Sequence, residues 1–188
     1  YIIEGNKFTD GNMYISSSED VFAYQGIGAG NEANQGMFFV PPLSCESRGD
    51  VNNIAFIDEI GDNTLTGGVT IVTKGTASVL INNTDIASQP AGITVNGPTT
   101  VSGKNEYVTY NVTGLSGNVT VSSSDELYSA YYNESGVATS GSFYAGFPSD
   151  PNVSLNLVAS ALGSCISAEG VSNVTFEVSN AGSYDSLQ

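Results

Sequence analysis

Apolar and polar residues alternate with a period of two through much of the chain. In residues 107–113, Val108, Tyr110 and Val112 share one face, and Tyr107, Thr109, Asn111 and Thr113 share the other. Residues 118–122 set Val119 and Val121 against Asn118, Thr120 and Ser122. Val153, Leu155, Leu157 and Ala159 line up in the same way, as do Val174, Phe176 and Val178. Successive Cβ atoms of a strand point to opposite sides, so each run predicts a strand with one face on a core and the other in water. Asp10-Gly11, Gly67-Gly68, Asn96-Gly97-Pro98, Ser102-Gly103, Ser116-Gly117 and Ser140-Gly141 read as turns, because Gly and Asn accept positive φ at little cost. No window of a dozen residues keeps a helical apolar stripe, and residues 158–162, the best helical stretch, read as strand end and loop. The pattern therefore predicts an all-β chain, a two-sheet antiparallel β-sandwich of jelly-roll or Ig-like type.

One run breaks the alternation. Met37-Phe38-Phe39-Val40 is apolar throughout, which predicts a strand covered on both faces, and Pro41-Pro42 ends it because proline has no N–H to donate. The loop before it, residues 26–36, is longer than a hairpin needs, and long loops in compact domains often carry function. Its Asn31, Glu32, Asn34 and Gln35 are candidate ligand-binding residues. Ser149-Asp150-Pro151 marks a break in the pattern. Residues 1–150 are read as the main sandwich. Residues 151–188 either complete it or begin a following Ig-like domain, since a lone pair of strands is marginal by itself.

Charge narrows the partners. The chain has 19 acidic residues against four basic ones, a net charge of −15. Nucleic-acid binding needs Lys and Arg to neutralise phosphates, so that class is excluded, and docking on an anionic membrane is disfavoured for the same reason. Only 12% of residues are charged, too few for a disordered acidic tail. Ser, Thr, Asn and Gly supply the polarity instead, as in exported β proteins. Tyr1-Ile2-Ile3-Glu4 carries no basic or apolar leader, which reads as a removed signal peptide or an excerpt of a longer chain. No apolar run reaches the roughly 20 residues of a membrane helix. Cys45 and Cys165 would pair in an oxidising compartment, closing a loop worth about 4–5 kcal/mol in the chain-entropy model; two buried thiols are the alternative.

The chain has no histidine, which excludes Ser-His-Asp and Cys-His nucleophiles and His-based metal sites. Clustered carboxylates fit no glycosidase pattern, and no enzyme activity is expected. Calcium wants several oxygen ligands from flexible loops, and Asp58, Glu59, Asp62 and Asn63 in FIDEIGDNT are the candidate set for a structural ion. A sugar-binding face would show aromatic rings on a sheet surface. Tyr128, Tyr132 and Tyr144 are the candidates, with Tyr128 and Tyr132 on one side of a strand and Tyr131 on the other; the lack of tryptophan weighs against it. Arg48-Gly49-Asp50 spells an adhesion tripeptide, yet three residues recur by chance and a turn after a strand explains them.

The stretches AYQG, ANQGMFFVPPLSC and FYAGF, with VNNIAFIDEIG, GGVTIVTKGTASVLIN and EYVTYNVTGLSGNVTVSS between them, come in an order that resembles the IgGFc-binding-like β domain of long exported surface proteins of gliding Bacteroidetes-type bacteria. The likeness spans roughly residues 12–150. It implies secretion, cell-surface attachment and an adhesive or structural role. It carries no catalytic residues, and the immunoglobulin binding in the family's name has no residue motif to transfer. The expected function is thus a non-enzymatic, extracellular adhesion or surface-architecture module of a larger bacterial protein. Its partner would be a glycan or protein on an external surface, or neighbouring copies of itself in a filament joined by strand exchange. A carbohydrate-binding module is the alternative.

Overall fold

The computed structural model describes residues 11–27, 36–43, 49–136 and 138–145. Among them are thirteen strands, one three-residue 3-10 turn (Ile86–Ser88) and no α-helix. The strands are β1 (Ala23–Ile27), β2 (Gly36–Val40), β3 (Asp50–Ile54), β4 (Glu59–Ile60), β5 (Asn63–Thr64), β6 (Thr66–Lys74), β7 (Val79–Ile81), β8 (Thr84–Asp85), β9 (Thr94–Thr100), β10 (Tyr107–Leu115), β11 (Val119–Ser123), β12 (Tyr128–Ser135) and β13 (Ala138–Ala145). They form a front sheet in the order β13-β12-β6-β10-β9 and a back sheet in the order β3-β11-β7-β8, with two separate ribbons, β1-β2 and β4-β5. Every pairing is antiparallel. The all-β sandwich expected from the alternation is the architecture observed.

The chain passes between sheets after β3, β6, β8, β10 and β11, so residues distant in sequence meet in one core. Val69 and Ile71 of β6 and Val112 of β10 face Val79 and Ile81 of β7, Val119 and Val121 of β11, and Val51 and Ile54 of β3 in one cluster. The inward residues of β10 and β11 are those the period of two selects. Ile54, Ile57, Ile71, Ile81 and Leu127 are almost fully buried, and each stabilises the fold by about 1.5–3 kcal/mol through removal from water. A polar tie joins the sheets at one end, where buried Thr73 donates through Oγ1 to the Glu126 carbonyl at 2.6 Å and lies 2.8 Å from Ser123 Oγ.

Three turn assignments move into strands. Gly67-Gly68 lies inside β6, Asn96-Gly97-Pro98 inside β9 and Ser140-Gly141 inside β13. Packing, not turning, explains the first pair. A Cβ on Gly67 would meet the Leu115 carbonyl oxygen at 2.5 Å, and one on Gly68 would meet the Tyr132 ring at 2.5 Å. At Asn96-Gly97-Pro98 the β9-β10 register shifts between Thr109 and Asn111, so the glycine marks an irregularity within an edge strand. The Ser102-Gly103 and Ser116-Gly117 assignments hold, since both fall between strands.

The reading of residues 37–40 as covered on both faces is also corrected. β2 pairs with β1, placing Tyr24 opposite Phe39, Gly26 opposite Met37 and Ala23 opposite Val40. Phe38 is buried, while Met37, on the opposite face of β2, is 73% exposed. A two-stranded ribbon has no third layer to cover its outer side, so only one face is packed, beside β13.

Candidate functional site

The outer face of the front sheet is built from alternate residues of its strands. Tyr128 of β12 stands opposite Val72 of β6, Ala130 opposite Thr70 and Tyr132 opposite Gly68. On the other side of β6, Tyr107 of β10 stands opposite Lys74, Thr109 opposite Val72, Asn111 opposite Thr70 and Thr113 opposite Gly68. Tyr128 and Tyr132 therefore share this face, while Tyr131, opposite Val69, turns toward the interior and packs on the core.

One end of the face is closed. Tyr107 and Tyr128 are buried with Val101, and Val72 packs on them. The carboxylate of Glu126, itself buried, accepts hydrogen bonds from the Tyr107 hydroxyl at 3.0 Å and the Tyr128 hydroxyl at 2.8 Å. Lys74 completes the group, with Nζ 3.5 Å from Glu126 Oε1 and 4.0 Å from the centre of the Tyr107 ring. Burial works against the charge of Lys74, but the Tyr107 hydroxyl and the Glu126 carboxylate outweigh it and hold its pKa above the ordinary value. Burial raises the Tyr107 pKa, with Glu126 adding to it and Lys74 opposing. A buried carboxylate held by two hydroxyls and an ammonium is satisfied on every side. It offers no free lone pair in a cleft, so the cluster reads as a structural lock.

The other end is open. The Tyr132 side chain lies across Gly68, and its hydroxyl donates to Asn111 Oδ1 at 2.7 Å. In the order β12-β6-β10 this side chain spans from one neighbour of β6 to the other. Burial raises the Tyr132 pKa, helped by the nearby Glu134 carboxylate and opposed by the Asn111 bond. Asn111, Asn96 and Glu134 are exposed, and Thr70 and Thr113 half-buried. Tyr144 lies in β13, but its side chain falls outside the described residues. Asn31, Glu32, Asn34 and Gln35, and both Cys45 and Cys165, also lie outside them. The same holds for residues 151–188, with their expected strands and domain boundary.

The calcium candidates lie on and beside the β4-β5 hairpin. Asp58 is buried, and its Oδ1 accepts from the Gly117 N–H at 2.7 Å, pinning the hairpin to the β10-β11 turn. Glu59 and Asp62 are exposed, and Asn63 Nδ2 donates to the Ile60 carbonyl at 3.4 Å. Among the described residues no group of three or more acidic, Cys or His side chains converges as a metal site. The adhesion tripeptide is likewise drawn into the scaffold. Gly49 abuts β11, accepting from the Ser123 N–H at 2.6 Å, and Asp50 begins β3, paired with Ser122; Arg48 is outside the described residues.

Sequence reading missed a surface that the structure assembles. Phe22, Tyr24, Met37 and Phe39 converge on the outer face of the β1-β2 ribbon. Phe39 lies 6.2 Å from the Phe22 ring and 5.8 Å, edge-on, from the Tyr24 ring. Phe22 is 82% exposed and Tyr24 61%. The signal was present in Phe22-Ala23-Tyr24-Gln25, whose alternation marks a strand, but which face would be outermost depended on its pairing with β2. No family model, curated protein or solved structure matches the chain.

Proposed function

We propose that this chain is a non-enzymatic adhesion or surface-architecture module of a larger extracellular bacterial protein. One observation carries the reading: the sandwich presents a contiguous apolar face on an appended ribbon. On the ribbon, Phe22, Tyr24 and Met37 are exposed around Phe39, whereas from residue 49 onward only Phe56 and Ile60 are exposed among the described large hydrophobics. Contiguous exposed apolar surface marks interaction sites, because water exacts a free-energy cost that only a partner removes. The sandwich itself is a rigid scaffold whose buried carboxylates, Asp58 and Glu126, accept hydrogen bonds that hold the fold. The lack of histidine and the net charge of −15 add to the case against a nucleophilic enzyme or a nucleic-acid partner.

The test compares residues 1–188 with the double variant Phe22→Ser/Met37→Ser on a quartz-crystal microbalance bearing hydrocarbon-coated, protein-coated and bare silica surfaces. The native chain is expected to be retained on at least one of these, with about tenfold weaker retention of the variant, roughly 1.4 kcal/mol. Both side chains are largely exposed, so the two proteins should melt at the same temperature. Equal retention of both on every surface, or turnover of a glycoside or peptide panel by the native chain, would sink the reading.

A further inference from the structure

The open end of the front sheet carries chemistry that the apolar ribbon does not. We propose that Tyr132, Asn111 and their neighbours form a subsite for one neutral pyranose residue of a glycan, separate from the ribbon. The first observation is the placement of the aromatic ring. Tyr132 does not stand up from the sheet but lies across Gly68, where a Cβ would come within 2.5 Å of Cζ and 2.8 Å of the hydroxyl oxygen. Only glycine at position 68 leaves room for this. The hydrogen bond from the hydroxyl to Asn111 Oδ1 at 2.7 Å anchors the far end of the side chain, so the ring is fixed before any ligand arrives. Pre-organisation of this kind reduces the entropy lost on binding.

The second observation concerns the amide. With Oδ1 of Asn111 engaged by Tyr132, the planar amide directs its two N–H donors elsewhere, and Asn111 is exposed. These donors have no partner among the described residues, nor do the side chains of Thr70, which stands opposite Asn111, or of Thr113, opposite Gly68. Asn96 stands opposite Asn111 from β9, likewise exposed and without a side-chain partner among the described residues. The result is one tethered aromatic ring bordered by amides and hydroxyls on a sheet surface. A pyranose has matching chemistry: a C–H face that packs on an aromatic ring, and a rim of hydroxyls that both donate and accept. Charge selects among sugars. Glu134 stands two residues beyond Tyr132 on the same face of β12, exposed and opposite Thr66, and the chain is strongly acidic, so uronic and sialic acids are repelled while a neutral hexose is accepted. Tyr128, expected from sequence to share this role, is excluded, because its hydroxyl is bonded to Glu126 and the residue is buried.

The experiment titrates residues 1–188 with glucose, galactose, mannose, N-acetylglucosamine and β-linked disaccharides of each, with glucuronic acid as the anionic control. It follows the side-chain amide resonances of Asn111 and Asn96. At least one neutral sugar is expected to shift the Asn111 amide in a saturable manner, and glucuronic acid is not. Tyr132→Ala, which removes the ring, and Asn111→Asp, which keeps the acceptor for Tyr132 but replaces the donors, should each weaken binding by about tenfold or more. Asn111 is on the surface, so its variant should keep the native melting temperature. Phe22→Ser/Met37→Ser should bind sugar as the native chain does, which separates failure of this subsite from failure of the ribbon. Absence of any shift across the panel, binding that survives both site variants, or equal binding of glucuronic acid would overturn the proposal.

Discussion

Tyr128 and Tyr132 lie four residues apart on the same face of β12, yet they belong to different regions. Tyr128 sits where Val101, Tyr107 and Lys74 close over the sheet, and its hydroxyl serves a buried carboxylate. Tyr132 sits where nothing among the described residues covers it fully, and its hydroxyl holds an exposed amide. The two side chains are identical and their registers equivalent. What differs is the third layer: the turn between β9 and β10 folds over one end and leaves the other open. A tyrosine on a sheet therefore becomes scaffold or surface according to what the neighbouring connection does, not according to its own strand.

Several substitutions would break or sharpen this contrast. The largest effect is expected from Glu126→Ala, which strands two buried hydroxyls and the Lys74 charge. Breaking a buried charged network by removing one partner costs about 3–5 kcal/mol, read as a lower urea midpoint at unchanged slope. Tyr128→Phe removes one charge-assisted bond and should cost about 1.5–3 kcal/mol in the same assay. Gly68→Ala places a methyl against the Tyr132 ring and should cost about 1–3 kcal/mol by overpacking, with loss of the Asn111 amide environment in the NMR spectrum. Tyr132→Phe, the counterpart of Tyr128→Phe, is expected to cost only about 0.5–1.5 kcal/mol. Equal losses from the two tyrosine variants would show that the ends of the face are not energetically distinct.

Alkaline pH sharpens the contrast without a substitution. Lys74 and Tyr107 both hold folded-state pKa values above their ordinary 10.5 and 10.0. A raised folded pKa means that the native state retains its proton where the unfolded chain releases it. The resulting stabilisation is complete below the unfolded values and is lost as pH rises through the folded ones. Stability should therefore fall from about pH 10 upward, and Lys74→Met together with Tyr107→Phe should flatten that decline. Tyr132 titrates in the same direction, so its phenolate absorbance provides an internal comparison at the open end.

The alternation of residues 107–113 and 118–122 assigned the inward faces of β10 and β11 correctly, because a half-buried strand writes its environment directly into its sequence. The split of Tyr128 and Tyr132 from Tyr131 was legible for the same reason. The glycines inside strands were not. Gly67-Gly68 reads as a turn by local propensity, and only the approach of Leu115 and the Tyr132 ring explains them as strand residues. Nor was the inward turn of Asp58 legible locally, since it follows from a hydrogen bond accepted from Gly117, far along the chain.

The sequence alone determined the fold class, the inward faces of β10 and β11 and the acidic, histidine-free composition. These follow from period, composition and charge, which are properties of single strands and of the chain as a whole. Tertiary structure decided which of two equivalent tyrosines is buried, that the apolar run at residues 37–40 has one open face, and that Tyr132 and Asn111 meet above Gly68. Each of these depends on strands brought together across sheets and connections, and a period of two records which residues share a face but not what lies above it.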